Sequence, residues 1–147
     1  MKNKTAGALA LLLVATIASV PAVLSAQDAK VKPAITIAQL AGPWQIALVG
    51  NTGCGITSIL FTGTMNSAGN APGTLIGNSG CGPSNTSQHF WIESLNSNGS
   101  GTAGLSCGEG CGWLLSIQVS PNKQVINLVD ITDPANYLAG TAVKQSK

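Results

Sequence analysis

Residues 111–132 read CGWLLSIQVSPNKQVINLVDIT, two apolar runs hinged on Ser120-Pro121-Asn122-Lys123. In the first run Trp113, Leu115, Ile117 and Val119 fall on one face, with Leu114, Ser116 and Gln118 on the other. In the second, Val125, Asn127, Val129 and Ile131 alternate with Ile126, Leu128 and Asp130. A period of two belongs to a strand, whose successive side chains point to opposite faces. The hinge suits a type I turn with proline at its second position. The stretch therefore predicts a β-hairpin.

The same pattern recurs along the chain. Past residue 38 no segment has a helical period; short runs rich in β-branched and aromatic residues are separated by Gly, Asn, Ser and Pro. Eight candidate strands lie near residues 43–50, 55–65, 73–79, 86–95, 100–107, 111–120, 123–132 and 137–144. Asn98-Gly99 is a strong hairpin-turn signal, and Asp133-Pro134-Ala135-Asn136 has similar turn chemistry. Tight turns between consecutive strands predict an up-and-down meander. A flat sheet of eight strands would leave two unpaired edges, and closure into a barrel removes both. The expected fold is all-β, a small antiparallel up-and-down barrel of about eight strands. A two-sheet sandwich is the alternative that the same pattern permits.

Residues 1–26 have the layout of a secretory signal peptide. Lys2 and Lys4 precede an apolar run from Ala6 to Val20, and Ala22-Val23-Leu24-Ser25-Ala26 offers a small-residue cleavage site. The apolar run is short for a spanning helix and is followed by Pro21, so no stable membrane insertion is expected after the signal is removed. Residues 27–38 read as a linker and 39–147 as a single β-barrel domain, secreted or periplasmic. Without residues 1–26, five lysines face five acids (Asp28, Glu93, Glu109, Asp130, Asp133), and the chain has no arginine. A surface that reads phosphates needs clustered cations, so a nucleic-acid partner is excluded. Charged residues make up only 8%, yet 44% are hydrophobic and well patterned, which argues against disorder.

Topology gives the cysteines their meaning. In a meander, the loops after odd-numbered strands share one end of the barrel. Cys54 (NTGCG) follows the first strand, Cys81 (NSGCG) the third, and Cys107 and Cys111 flank the loop after the fifth. All four are expected at one rim. An exported chain with an even cysteine count favours disulfides. Of three pairings, Cys107–Cys111 closing a hairpin tip and Cys54–Cys81 joining neighbouring loops are preferred. A four-thiolate metal site is the alternative, but its spacing is not the paired CxxC of zinc sites. Neither a metal nor any other cofactor is expected.

Catalytic candidates are few. His89 is the only histidine, and no GxSxG or comparable nucleophile setting accompanies it. His89, Trp91 and Glu93 share an expected face of the fourth strand; turned inward they would form a binding site, turned outward a solvated surface. Trp44, Trp91 and Trp113 are either core anchors or the aromatic lining of a cavity. Glu109 sits between two glycines at the Cys107–Cys111 tip. Asp133, before a proline, reads as a turn-capping residue, with Asp130 close to the same turn. The ligand-binding candidates are thus Trp91, Trp113, His89, Glu93 and Glu109.

Gly42-Pro43-Trp44, opening the first strand, resembles the G-x-W motif of lipocalins and, more loosely, of avidin-like proteins. Thr132-Asp133 followed by Asn136-Tyr137 is similar to the lipocalin T-D-x-x-N-Y segment. The resemblance implies a calycin-type barrel in which Trp44 plugs the closed end and ligands enter through the opposite mouth. The lipocalin arginine that packs on this tryptophan has no counterpart in a chain without arginine. The expectation for function is an exported non-enzymatic barrel. It would bind a small hydrophobic or amphipathic ligand, or a surface partner, through the cysteine-bearing loops. A structural or adhesion module with a filled interior and a small secreted hydrolase are the competing expectations.

Overall fold

Each strand expected from the alternation forms, and in the expected order. In the computed structural model, which describes residues 34–146, they are β1 (Gly42–Thr52), β2 (Gly55–Met65), β3 (Asn70–Ser79), β4 (Gly82–Leu95), β5 (Ser100–Gly108), β6 (Cys111–Val119), β7 (Val125–Asp130) and β8 (Tyr137–Lys144). Every strand pairs antiparallel with its sequence neighbours. The last pairs with the first, from Trp44 opposite Lys144 to Asn51 opposite Tyr137. The sheet closes as a barrel, and the sandwich alternative falls. The expected signal segment, residues 1–26, lies outside the described residues.

Three strands differ most from expectation in extent. β3 begins three residues earlier than expected, at Asn70. β4 begins four residues earlier than expected, at Gly82, because the β3–β4 hairpin stays paired to its tip, with Ser79 opposite Gly82. β7 is shorter, because Lys123 takes a left-handed φ of 60° and still belongs to the turn. A β-bulge also interrupts β4. Ile92 pairs with Ala103 and Ser94 with Thr102, which leaves Glu93 without an opposite residue. One extra residue shifts the side-chain parity of a strand. Phe90 and Ile92 therefore point inward before the bulge, and Leu95 packs against the core after it.

One end of the barrel is solid. Trp44, Ile46, Phe61, Met65, Phe90, Leu105, Ile126 and Leu128 are almost fully buried in it. Phe61 and Phe90 meet at a tilt, ring centroids 6.4 Å apart, as aromatic pairs prefer. A 3-10 turn, Ile37–Leu40, lies just before β1 and buries Leu40; Ile35, within the stretch read as linker, is buried as well. Trp44, only 2% exposed, donates its indole Nε1–H to the Leu40 carbonyl at 2.7 Å. The Lys144 ammonium stands 5.8 Å from the centroid of the Trp44 ring. It is the cation beside a tryptophan in a chain that has no arginine.

Trp44 thus closes the base with both area and one hydrogen bond. Trp44→Phe keeps much of the area but leaves the Leu40 carbonyl without its buried donor. An unmade buried hydrogen bond costs roughly 1–3 kcal/mol. Urea denaturation should show a lowered midpoint of that size with an unchanged slope.

Candidate functional site

The other end is built differently. All four cysteines reach it, as the alternation of loops between two rims requires, and they are joined as Cys54–Cys81 and Cys107–Cys111. No cysteine among the described residues is free, so no thiolate set remains for the four-cysteine metal alternative. Two disulfides fit an oxidising setting, extracellular or periplasmic.

NTGCG and NSGCG perform the same local task in adjacent hairpins. In each, the hydroxyl before the tip (Thr52, Ser79) accepts the amide N–H of the cysteine two residues on, at 3.3 Å. In each, the glycine after the cysteine takes a left-handed φ, +79° at Gly55 and +105° at Gly82. The two tips are also bonded through the backbone, Gly80 N–H to the Cys54 carbonyl at 2.8 Å. That approach requires glycine, since a Cβ at position 80 would stand 2.5 Å from the Cys54 oxygen. Covalent bond and hydrogen bond together fix this side of the rim.

Between the stapled hairpins the barrel opens into a cavity of about 610 Å3. Its apolar lining includes Ile59, Leu75 and Trp113; its polar lining includes Thr57, Asn78, Asp130 and Asp133. Both disulfides belong to the wall. The opening follows from strand lengths. β4 is paired with β5 only from Phe90 onward, opposite Leu105, while its first half rises beside β3 alone. Space is left between the β3–β4 and β5–β6 hairpins. Glycine and small residues above the Phe61–Phe90 layer leave it unfilled, Gly77 and Thr57 among them.

Of the five candidate residues, the structure brings Trp113 to this cavity. It lies opposite Leu105 on the inward face of β6. Glu109 is exposed at the tip of the β5–β6 hairpin, beside the mouth but outside the lining. His89 and Trp91 lie on the outer surface of β4, with ring centroids 6.1 Å apart, and Glu93 is exposed at the bulge. Trp91 covers Gly104, where any Cβ would collide with its indole ring. The His89 ring reaches Asn70 Oδ1 at 3.4 Å, and its backbone N–H donates to Ser106 Oγ at 2.8 Å. No carboxylate is among these partners, so the paper triad of serine, histidine and acid is not assembled there.

One lining residue escaped the sequence reading as a site. Asp130 ends β7 with its side chain turned inward, opposite Leu115, and is 8% exposed. Its Oδ1 accepts the Thr132 amide N–H at 2.8 Å. Its Oδ2 is buried, and no donor among the described residues reaches it. The available signal was the phase of β7, in which Asp130 continues the face of Ile126 and Leu128. No protein-family model matches this chain, and no curated protein matches it in sequence.

The disulfide frame makes a quantitative prediction. In the loop-entropy account, replacing Cys54 and Cys81 by serine, separated by 27 residues, should cost about 3.6 kcal/mol; replacing Cys107 and Cys111, separated by 4, should cost about 2. Gly80→Ala, which forces the two tips apart, should cost about 1–3 kcal/mol with both bridges intact. Chemical denaturation of the three variants would check the order; equal losses from both bridge deletions would contradict it.

Proposed function

We propose that this chain is an exported, non-enzymatic β-barrel that binds one small apolar or amphipathic molecule at its disulfide-bearing end. The observation that carries the proposal is the divided interior, closely packed around Trp44, Phe61 and Phe90 and open above them. Small-molecule sites are concave, mostly apolar, set with a few polar groups, and about 300–1,000 Å3 in volume. The cavity has these properties, and an indole in its wall. A module with a filled interior would be expected to carry bulkier side chains where small residues, Gly77 and Thr57 among them, line the cavity. Export is supported by the signal-like residues 1–26 and by the disulfides. The GPW and TD–NY resemblance agrees with entry at this end, since Trp44 occupies the base.

Against catalysis stands the placement of His89 on the outer wall, with an asparagine as its ring partner. A second reading has one observation in its favour. Val129 lies opposite Ala139, and Ala139 opposite Val49, on the outer surface of β7, β8 and β1; Val49 and Tyr137 are 64% and 62% exposed. Such a strip suits contact with a surface partner.

The two readings separate with a neutral amphipathic probe, N-phenyl-1-naphthylamine. Saturable binding at one probe per chain is expected, accompanied by a change in Trp113 emission. Thr57→Trp, which fills the cavity, should weaken it by roughly tenfold or more, about 1.4 kcal/mol. Tyr137→Lys, on the outer strip, should leave it unchanged. A linear signal without saturation, or loss of binding in the Tyr137 variant alone, would overturn the cavity reading.

A further inference from the structure

The orphaned oxygen of Asp130 identifies the chemistry of the ligand. Building on the cavity reading, we infer that the site takes an amphipathic ammonium: a cationic N–H donor for Asp130 and an apolar body for the space beneath. A buried carboxylate oxygen without a donor is costly to the fold, and buried charges are ordinarily paired or fully hydrogen-bonded. Asp130 keeps one oxygen fixed by the Thr132 amide; the other is buried without a donor among the described residues, in a residue that forms part of the cavity wall. The side chain is therefore oriented by one bond and left with one oxygen unpartnered.

Its surroundings supply no cation. The cavity lining contains neither lysine nor histidine, and Asp133 adds a second acid to it. Apart from Glu93, exposed on the outer surface at the β4 bulge, the charged side chains of the described residues are divided in the same sense. Glu109, Asp130 and Asp133 are at the mouth, while Lys123, in the β6–β7 turn, and Lys144, beside Trp44, are at the base. A cleft lined by one sign of charge raises the local concentration of the opposite sign.

The neighbour on β6 fits the same guest. Trp113 stands two residues beyond Leu115 on the inward face, and Leu115 is opposite Asp130. Indole and carboxylate are thus diagonal neighbours across the two strands, within reach of one small head group. An ammonium there gains a charge-assisted hydrogen bond from the acid and a cation–π contact from the indole. Ile59 and Leu75 receive the apolar remainder. An anionic ligand would meet two acids and no cation.

The test uses three molecules of one shape: 1-adamantanemethylamine, 1-adamantanemethanol and 1-adamantanecarboxylate, titrated calorimetrically into the full mature chain. The ammonium should bind roughly tenfold or more tightly than the alcohol, and the carboxylate should be weakest. Asp130→Asn keeps an oxygen acceptor for the Thr132 amide, so a merely structural aspartate would lose little. The inference expects the ammonium's advantage to shrink to within about twofold of the alcohol, with alcohol affinity and N-phenyl-1-naphthylamine binding retained. Should the variant fail to fold, the ranking of the three ligands by the wild-type chain decides. Alcohol and ammonium binding equally well to the wild-type chain would overturn the ammonium inference and leave the cavity reading standing. No binding of any of the three, nor of N-phenyl-1-naphthylamine, would overturn both.

Discussion

The pairing of β1 with β8 is the constraint on which everything else rests. Eight antiparallel strands laid side by side would end in two rows of unpaired backbone groups. Joining Trp44–Asn51 to Tyr137–Lys144 removes both end strands of the sheet, and an edge remains at the mouth, along the first half of β4. Closure also fixes an inside. Each strand contributes alternate residues to a single interior, so one shift of register would turn core side chains toward solvent. It further assigns every loop to one of two rims, by the parity of the strand it follows. The gathering of four cysteines at one rim is a consequence of this counting, and needs no separate cause.

The two rims then divide stability from openness. At the base, the 3-10 turn, Trp44 and the Phe61–Phe90 pair fill the space, and hairpin turns of one design close it. The backbone carbonyls of Asn66 and Asn96 each accept the N–H of a glycine three residues later, Gly69 and Gly99, with left-handed φ of +86° and +88°. A packed base supplies most of the apolar burial such a small domain can have. The mouth has little of it. There the chain uses disulfides, matched hydroxyl-to-amide bonds at the hairpin tips, and the contact from Gly80 to Cys54, all of which order loops without occupying the interior. Covalent closure is the available substitute where a core would fill the cavity.

Strand order, barrel closure and the cysteine rim were legible in the sequence because each depends on period and parity, which are local or countable. What was not legible depends on phase. β7 carries apolar residues on both faces: Ile126 and Leu128 inside, Val129 and Ile131 about half exposed outside. Alternation between polar and apolar residues is therefore weak in it, and Asp130 read as an appendage of the turn after it. β4 has the opposite fault. His89, Trp91 and Glu93 form a regular series in sequence, but Trp91 finds its cover on the outer surface over Gly104, and the bulge places Glu93 out of the series. A tryptophan turned outward over a glycine on the next strand cannot be seen from either strand alone. The cavity was hidden for a related reason: it comes from unequal lengths of paired strand, β4 against β5, and no single segment encodes a difference.

Asp130 lies where the cavity, the β6–β7 pairing and the disulfide rim meet. A chain selected only for stability would replace a buried, half-satisfied carboxylate, because an apolar residue of similar shape there would leave no oxygen orphaned. The position is tolerable where it is because the surrounding rim has other fastenings. Thr132, which holds the carboxylate's first oxygen, also accepts the Leu114 amide at 2.7 Å and so ties β7 to β6 beyond their last paired residues. The two disulfides hold the facing hairpins. The cost of the unpartnered oxygen is thus confined to one side chain in a frame that the disulfides also hold. Local cost without global consequence is the arrangement expected of a group retained for a guest rather than for the fold.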